Sequence, residues 1–378
     1  MPDAPLHLIR QEVRGERAYR VPTDARAAAK LDQNESPFDV PEELKRELVE
    51  RYVEANWNRY PEDRPHELIA ALAERLGHPA DGIIVGHGSN EIVHTIGLAM
   101  MGKDIPVVLP HPMFALYESV ARMHGARIVP VDPTEPHFGH DADTILEAAV
   151  ESGAALIVVT TPNNPTGQVI PFEGLECIAA GAPGFVLVDE AYVEFVEGPN
   201  AGELIKPYPN VLVARTFSKA MGLAGLRIGY LLGAPEVIQE IEKARLPFLV
   251  DRGCEAVALA MLDRPERVAN CVAMLKSERD RLLAALANWP GVETIPSAAN
   301  FFLMRTPLAV PDLCERMAEQ SVRIRNVCGF RALASTPEAR GWARVSIGTP
   351  EQNTAFLSAL EHALANERDE RAEIVSES

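Results

Sequence analysis

Between Pro106 and Leu232 the chain repeats one pattern, a short apolar run followed by a turn and a helical stretch. The runs are Val107–Leu109, Arg127–Val131, Leu156–Thr160, Phe185–Asp189, Val211–Ala214 and Ile228–Leu232. Strands that alternate with helices imply a mostly parallel sheet flanked by helices, an α/β fold. After about residue 250 the pattern changes. A long amphipathic helix over Val268–Trp289 is followed by a few strand-like runs, among them Phe301–Arg305, Val322–Arg325 and Trp342–Ile347. That arrangement predicts a smaller α+β unit. The expected organisation is an N-terminal arm over 1–40, a large domain over 41–250, a small domain over 251–366 and a charged, disordered tail over 367–378.

Size agrees with this division, since 378 residues are too many for one simple core. With 36 Lys and Arg against 54 Asp and Glu the net charge is -18. That argues against a nucleic-acid partner, which wants a basic surface. The first residues carry no basic segment leading into an apolar one, and no apolar stretch approaches the roughly 20 residues that span a bilayer. Five scattered cysteines without a Cys-x-x-Cys pair read as reduced thiols. A cytoplasmic protein with no membrane partner is expected. His137 and His140 lie in a Pro/Gly-rich connection without further ligands in view, so no metal site is expected.

In open α/β sheets the chemistry collects just beyond the strand ends. The densest such place lies between Val211–Ala214 and Ile228–Leu232, where a small-residue turn carries Thr216, Ser218, Lys219 and Arg227. Hydroxyls and a guanidinium bind phosphate, and a lysine amine condenses with a carbonyl. Pyridoxal phosphate offers both groups. On this stretch alone, a basic surface loop fits equally well. Upstream, Ile83-Ile-Val-Gly-His-Gly-Ser-Asn-Glu91 reads as a strand, a glycine turn and a helix start, which presents free N–H groups to an anion. A dinucleotide-binding fold would need Gly-x-Gly-x-x-Gly there, and Asn90-Glu91 stands where the third glycine belongs.

Four motifs in order are more specific than any one of them. They are Asn163-Asn-Pro-Thr-Gly167, Asp189-Glu-Ala-Tyr192, Thr216-Phe-Ser-Lys-Ala220 and Leu223-Ala-Gly-Leu-Arg227. With Asn34-Glu-Ser-Pro37, Arg59-Tyr-Pro61 and Ala343-Arg-Val-Ser-Ile-Gly-Thr349, the chain resembles the class I and II aminotransferases, fold type I pyridoxal-phosphate enzymes. The resemblance runs from about Tyr19 to the last helix. It is strongest to the branch that acts on histidinol phosphate.

The resemblance implies a role for each matching residue. Lys219 would bond the cofactor covalently and, once displaced, carry a proton to and from the substrate Cα. Asp189 would keep the cofactor's ring nitrogen protonated, because a carboxylate beside it raises its pKa. A helix N-cap is the other reading of Asp189. Asn164 and Tyr192 would meet the ring's phenolic oxygen, and Phe114 would stack on the ring or else serve the core. Ser89, Asn90, Thr216, Ser218 and Arg227 would hold the cofactor phosphate. Tyr60 would reach that phosphate in a neighbouring subunit, which implies a homodimer with a shared active site. Arg344 would bind the α-carboxylate of glutamate and Arg325 the substrate phosphate, with Tyr19 and Asn34 as further substrate contacts. Arg323 is close in sequence and could be the matching residue in place of Arg325. The implied reaction moves an amino group between histidinol phosphate and 2-oxoglutarate in histidine synthesis. An aromatic amino-acid aminotransferase of the same fold is the alternative, and a pyridoxal-phosphate protein used for binding or decarboxylation is a more distant one.

Overall fold

The computed structural model describes residues 4–16, 18, 27–334 and 341–377. Among the described residues twelve strands form two sheets. They are β1 (Ala29–Leu31), β2 (Ile83–Gly86), β3 (Pro106–Pro110), β4 (Arg127–Val131), β5 (Leu156–Thr160), β6 (Phe185–Asp189), β7 (Val211–Thr216), β8 (Gly229–Leu232), β9 (Glu293–Ile295), β10 (Phe301–Arg305), β11 (Val322–Asn326) and β12 (Ala343–Ser346).

The large sheet has the order β2-β8-β7-β6-β5-β3-β4. From β4 to β7 every pairing is parallel, whereas β8 runs antiparallel to both β7 and β2. Side chains along the central strands alternate between two cores. Ile157, Val159, Val186, Val188 and Val213 pack on one face, while Leu156, Val158, Leu187 and Leu212 pack on the other. Both faces are therefore covered, and the strands read as continuous apolar runs instead of an alternation. The chain passes from β3 outward to β4 and then returns to β5 on the far side of β3. This reversal opens a crevice beyond the carboxyl ends of β3 and β5.

The second sheet has the order β1-β11-β12-β10-β9 and is antiparallel except at β1, which pairs in parallel with β11. Here the structure corrects one expectation. Residues 29–31 do not belong to a loose arm. Ala29 and Leu31 are buried and form an edge strand of the small sheet. Alternate burial across Ala-Lys-Leu is a half-buried strand in only three residues, too short for periodicity to reveal.

The last helix spans Pro350–Glu377, so the backbone of 367–377, expected to be a disordered tail, is helical. The segment is rich in Glu and Arg and holds neither Pro nor Gly, so nothing local stops the helix. No helix among the described residues is long and apolar enough to cross a membrane.

Candidate active site

A cavity of about 820 Å³ opens where β3, β5, β6 and β7 end and the small sheet faces them. Its lining takes residues from β5, β6, β7, β11 and β12 and from the chain just after β1 and β3.

The anion end is built from two turns. The helix Gly88–Met100 follows β2 directly, and no side chain caps its first N–H groups. Those donors at Ser89 and Asn90 stay open to a ligand, at the end of the helix where its dipole favours negative charge. Opposite them, Thr216 Oγ1 donates to Ser218 Oγ at 2.9 Å, and Arg227 Nη1 donates to the same oxygen at 3.4 Å. Arg227 adopts a left-handed backbone (φ 54°), a cost that non-glycine residues bear only where the surroundings impose it. Two glycines make the close fit possible. A Cβ on Gly88 would stand 2.5 Å from Arg227 Nη2, and one on Gly229 would stand 2.5 Å from the Ser89 nitrogen.

Asp189 ends β6 deep in the cavity. Its Oδ2 accepts from Tyr117 Oη at 2.8 Å and its Oδ1 from the Ala191 N–H at 3.0 Å. Burial pushes the carboxyl pKa up, and these two donors oppose the shift. The site therefore suits a cationic partner for the carboxylate. Tyr117 was not foreseen. Its signal was the spacing of three from Phe114 at the start of the helix Ala115–Met123, which puts both rings on one side. The rings meet edge to face with centroids 6.4 Å apart, and Phe114 lines the cavity.

Lys219 lies at the centre. Burial, then the positive charge of Arg344, lowers its pKa to about 8. Its ammonium donates to the Gln33 carbonyl at 3.2 Å. A lysine so placed is a nucleophile near neutral pH. Tyr192 stands beside it, with its hydroxyl accepting from Asn34 Nδ2 at 3.0 Å.

The paired asparagines divide the work. Asn163 is buried and holds the turn, donating from Nδ2 to the Pro112 carbonyl at 2.8 Å and to Thr166 Oγ1 at 3.0 Å. Asn164 faces the cavity, and its Oδ1 accepts from Arg344 Nη1 at 2.6 Å. A guanidinium only donates, so the Asn164 Nδ2 must point elsewhere. Gly167 closes this turn with φ 75°, against Ser297 of the small-sheet side.

At the other end, Arg325 and Arg344 are direct cross-strand partners on β11 and β12, so both side chains leave one face of the sheet, and both line the cavity. Arg344 also donates to the Asp32 carbonyl at 2.9 Å. Arg323 is distinguished from Arg325 by its partner, since it lies 3.7 Å from the Asp32 carboxylate. Asn34, expected at the substrate, has its amide engaged by Tyr192 and Ser346. Tyr60 stands outside the cavity, 78% exposed, with its ring stacked on Phe248 at 4.9 Å. Tyr19 lies outside the described residues.

The family model for aminotransferases of class I and II matches residues 27–360. The chain belongs to that family. As an aminotransferase it has relatives along nearly its full length. It is 38% identical to the histidinol-phosphate aminotransferase of Chlorobium phaeovibrioides, over 94% of this chain and 96% of that one. The enzyme of the same name from Chlorobaculum tepidum is 38% identical over 90% and 96% of the two chains. Among solved structures, histidinol-phosphate aminotransferase from Sinorhizobium meliloti, in complex with pyridoxal-5′-phosphate, superposes with a TM-score of 0.80 at 26% identity, covering 90% of this chain and 92% of that one. The large sheet of mostly parallel strands is the architecture that this family shares.

Proposed function

We propose that this aminotransferase uses pyridoxal 5′-phosphate to move an amino group between histidinol phosphate and 2-oxoglutarate, a step of histidine synthesis. The observation that carries the reading is one cavity with an anion cradle at one end, a buried lysine at its centre and a cross-strand arginine pair at the other end. The names of the relatives support the same substrate.

The residues present fit the cofactor. Gly88 and Gly229 leave room that a Cβ would fill, beside open N–H groups and Arg227. When bound, the cofactor supplies an electron sink for the bond broken at the substrate Cα. Ser89, Asn90, Thr216, Ser218 and Arg227 hold its phosphate by charge-assisted hydrogen bonds. Asp189 keeps a proton on the ring nitrogen, and Phe114 covers a ring face. Asn164 and Tyr192 donate to the phenolic oxygen. Lys219 anchors the cofactor and, when released, carries the proton to and from the substrate Cα. Arg344 takes the α-carboxylate of glutamate as a bidentate fork, and Arg325 takes the phosphate of histidinol phosphate.

Tyr60 is exposed in one chain, which fits a role at the phosphate site of a second copy in a homodimer. The five cysteines are free thiols, which suits a reducing cytoplasm.

The test is kcat/KM for histidinol phosphate and for phenylalanine, in the parent and in Arg325→Ala. Removal of the arginine should cost histidinol phosphate roughly ten- to a hundredfold, the worth of one or two charge-assisted hydrogen bonds, and phenylalanine far less. A parent that prefers phenylalanine, or a variant that loses both equally, would replace this reading with the aromatic aminotransferase.

A further inference from the structure

Asn34 and Ser346 are buried, come from opposite ends of the chain and meet behind Tyr192. We infer that Ser346 is a positioning residue. Its hydroxyl fixes which way the Asn34 amide points, and the amide in turn forces the Tyr192 hydroxyl to direct its proton into the cavity. The inference rests on the proposed place of Tyr192 beside the cofactor's phenolic oxygen.

The count of donors and acceptors around Ser346 allows one arrangement. The Asn34 backbone N–H can only donate, and it lies 2.8 Å from Ser346 Oγ. The serine oxygen therefore accepts there. Its single proton goes to Asn34 Oδ1, also at 2.8 Å. With Oδ1 taken by the serine, Nδ2 is the atom that faces Tyr192 Oη at 3.0 Å. An amide nitrogen donates, so the phenol oxygen accepts, and its own proton is left for a partner on the open side. The reversed amide would place Nδ2 against the serine and leave the buried serine proton without this acceptor. It would also turn the phenol proton toward Asn34. Stranding a buried donor costs more than a hydrogen bond gains.

The backbone supports the same clamp. Asn34 has φ 53°, a left-handed conformation that asparagine tolerates better than other side chains. Its carbonyl accepts from Asn300 Nδ2 at 3.2 Å. Thus the residue is held on three sides, and rotation of the amide is the one freedom left for Ser346 to remove. Ser346 lies two residues after Arg344 on β12. One strand therefore carries the arginine that orients Asn164 and the serine that orients Tyr192, the two donors proposed for the same oxygen.

The experiment uses the full chain in two states. With pyridoxal phosphate bound, the pH midpoint of its visible absorbance change is recorded for the parent, Ser346→Ala, Ser346→Thr, Asn34→Asp and Tyr192→Phe. A donor on the phenolic oxygen draws off charge that otherwise favours the protonated chromophore. Loss of the donor should therefore raise the midpoint. Tyr192→Phe should raise it by about one pH unit. Ser346→Ala and Asn34→Asp should each move it in the same direction, and Ser346→Thr, which keeps the hydroxyl, should stay near the parent. In the cofactor-free protein, the 13Cζ resonance of Tyr192, assigned with Tyr192→Phe, should shift in Ser346→Ala and not in Ser346→Thr. This second readout stands even if the chain binds no pyridoxal phosphate, so failure of the proposed function is told apart from failure of the clamp. Where Ser346→Ala does not fold, Asn34→Asp, which keeps the side-chain shape, decides. An unchanged midpoint and an unchanged resonance in the variants that lack the clamp would overturn the inference.

Discussion

Tyr117 Oη sits 2.8 Å from Asp189 Oδ2, in a part of the site where both side chains are buried. The contact stabilises the ionised carboxylate against the burial that pushes its pKa up. In Tyr117→Phe that pKa should rise further, so protonation of Asp189 begins at higher pH. The acid limb of the kcat profile should move up, with a loss of roughly tenfold or more on the acid side, the worth of a hydrogen bond to a charged group. Activity should recover as pH is raised. A uniform loss at every pH would mean that the phenol acts by packing alone.

Lys219 titrates at about 8 because its ammonium is buried. The neutral amine is the nucleophile, so covalent uptake of pyridoxal phosphate by the cofactor-free protein should speed up through about pH 8 and then level off. Lys219→Ala should leave no borohydride-fixed cofactor. Stability carries the same sign. The folded pKa lies below the ordinary 10.5, so the folded chain binds fewer protons between those values and gains stability as pH rises across them. Below pH 8 the burial cost is present in full. Cofactor-free Lys219→Met should therefore melt above the parent at pH 7, and the gap should narrow toward pH 10.5.

A methyl group on Gly229 would press on the backbone of Gly88 and Ser89, at 2.8 and 2.5 Å. Gly229→Ala should weaken pyridoxal phosphate binding by at least about tenfold, the loss of one good hydrogen bond or more. Gly225→Ala, where a Cβ meets nothing within 4 Å, is the control and should bind like the parent. Titration of the cofactor by fluorescence measures both.

Glu190, next to Asp189, serves structure. Its Oε2 accepts from Arg215 Nε and Nη2 at 2.9 and 2.8 Å, and its Oε1 accepts from the Ala201 N–H at 2.7 Å. Glu190→Ala strands a buried guanidinium and should cost about 3–5 kcal/mol of stability, read from urea unfolding. An unchanged urea midpoint would show that Arg215 finds another partner.

Tyr60 and Lys219 should complement each other. Mixed dimers of an inactive Tyr60→Ala variant with an inactive Lys219→Ala variant would hold one site with both defects and one with neither. Activity should return on verified subunit exchange, up to the share of intact sites. No return would count against an active site shared between two subunits.

The sequence made some of this plain and hid the rest for identifiable reasons. The long apolar runs announced the parallel sheet because strands buried on both faces have no polar register to confuse. The ends of β5, β6 and β7 were readable because Asn164, Asp189 and Lys219 are polar residues at, or within four residues of, the ends of apolar strands. What stayed hidden depends on contacts between distant segments. The spacing from Phe114 puts Tyr117 on the cavity side, yet nothing local marks it as a donor to Asp189, or Ser346 as the partner of Asn34. Arg323 and Arg325 share a face of β11, and only the third dimension separates the one beside Asp32 from the one in the cavity.

The pairing of Ala29 with Val322 has a consequence for synthesis on the ribosome. The strands of the large sheet emerge in one block, and domains tend to fold as they are completed. The strand β1 emerges before all of them and must wait for almost the entire chain before it meets β11. Gln33, Asn34 and the Asp32 carbonyl, which touch Lys219, Tyr192 and Arg344, are therefore put in place last. A chain cut short of Val322 still carries every residue of the anion cradle but not the partner of β1, so it should bind pyridoxal phosphate without turning over substrate, which cofactor titration and an activity assay of the truncated chain would check.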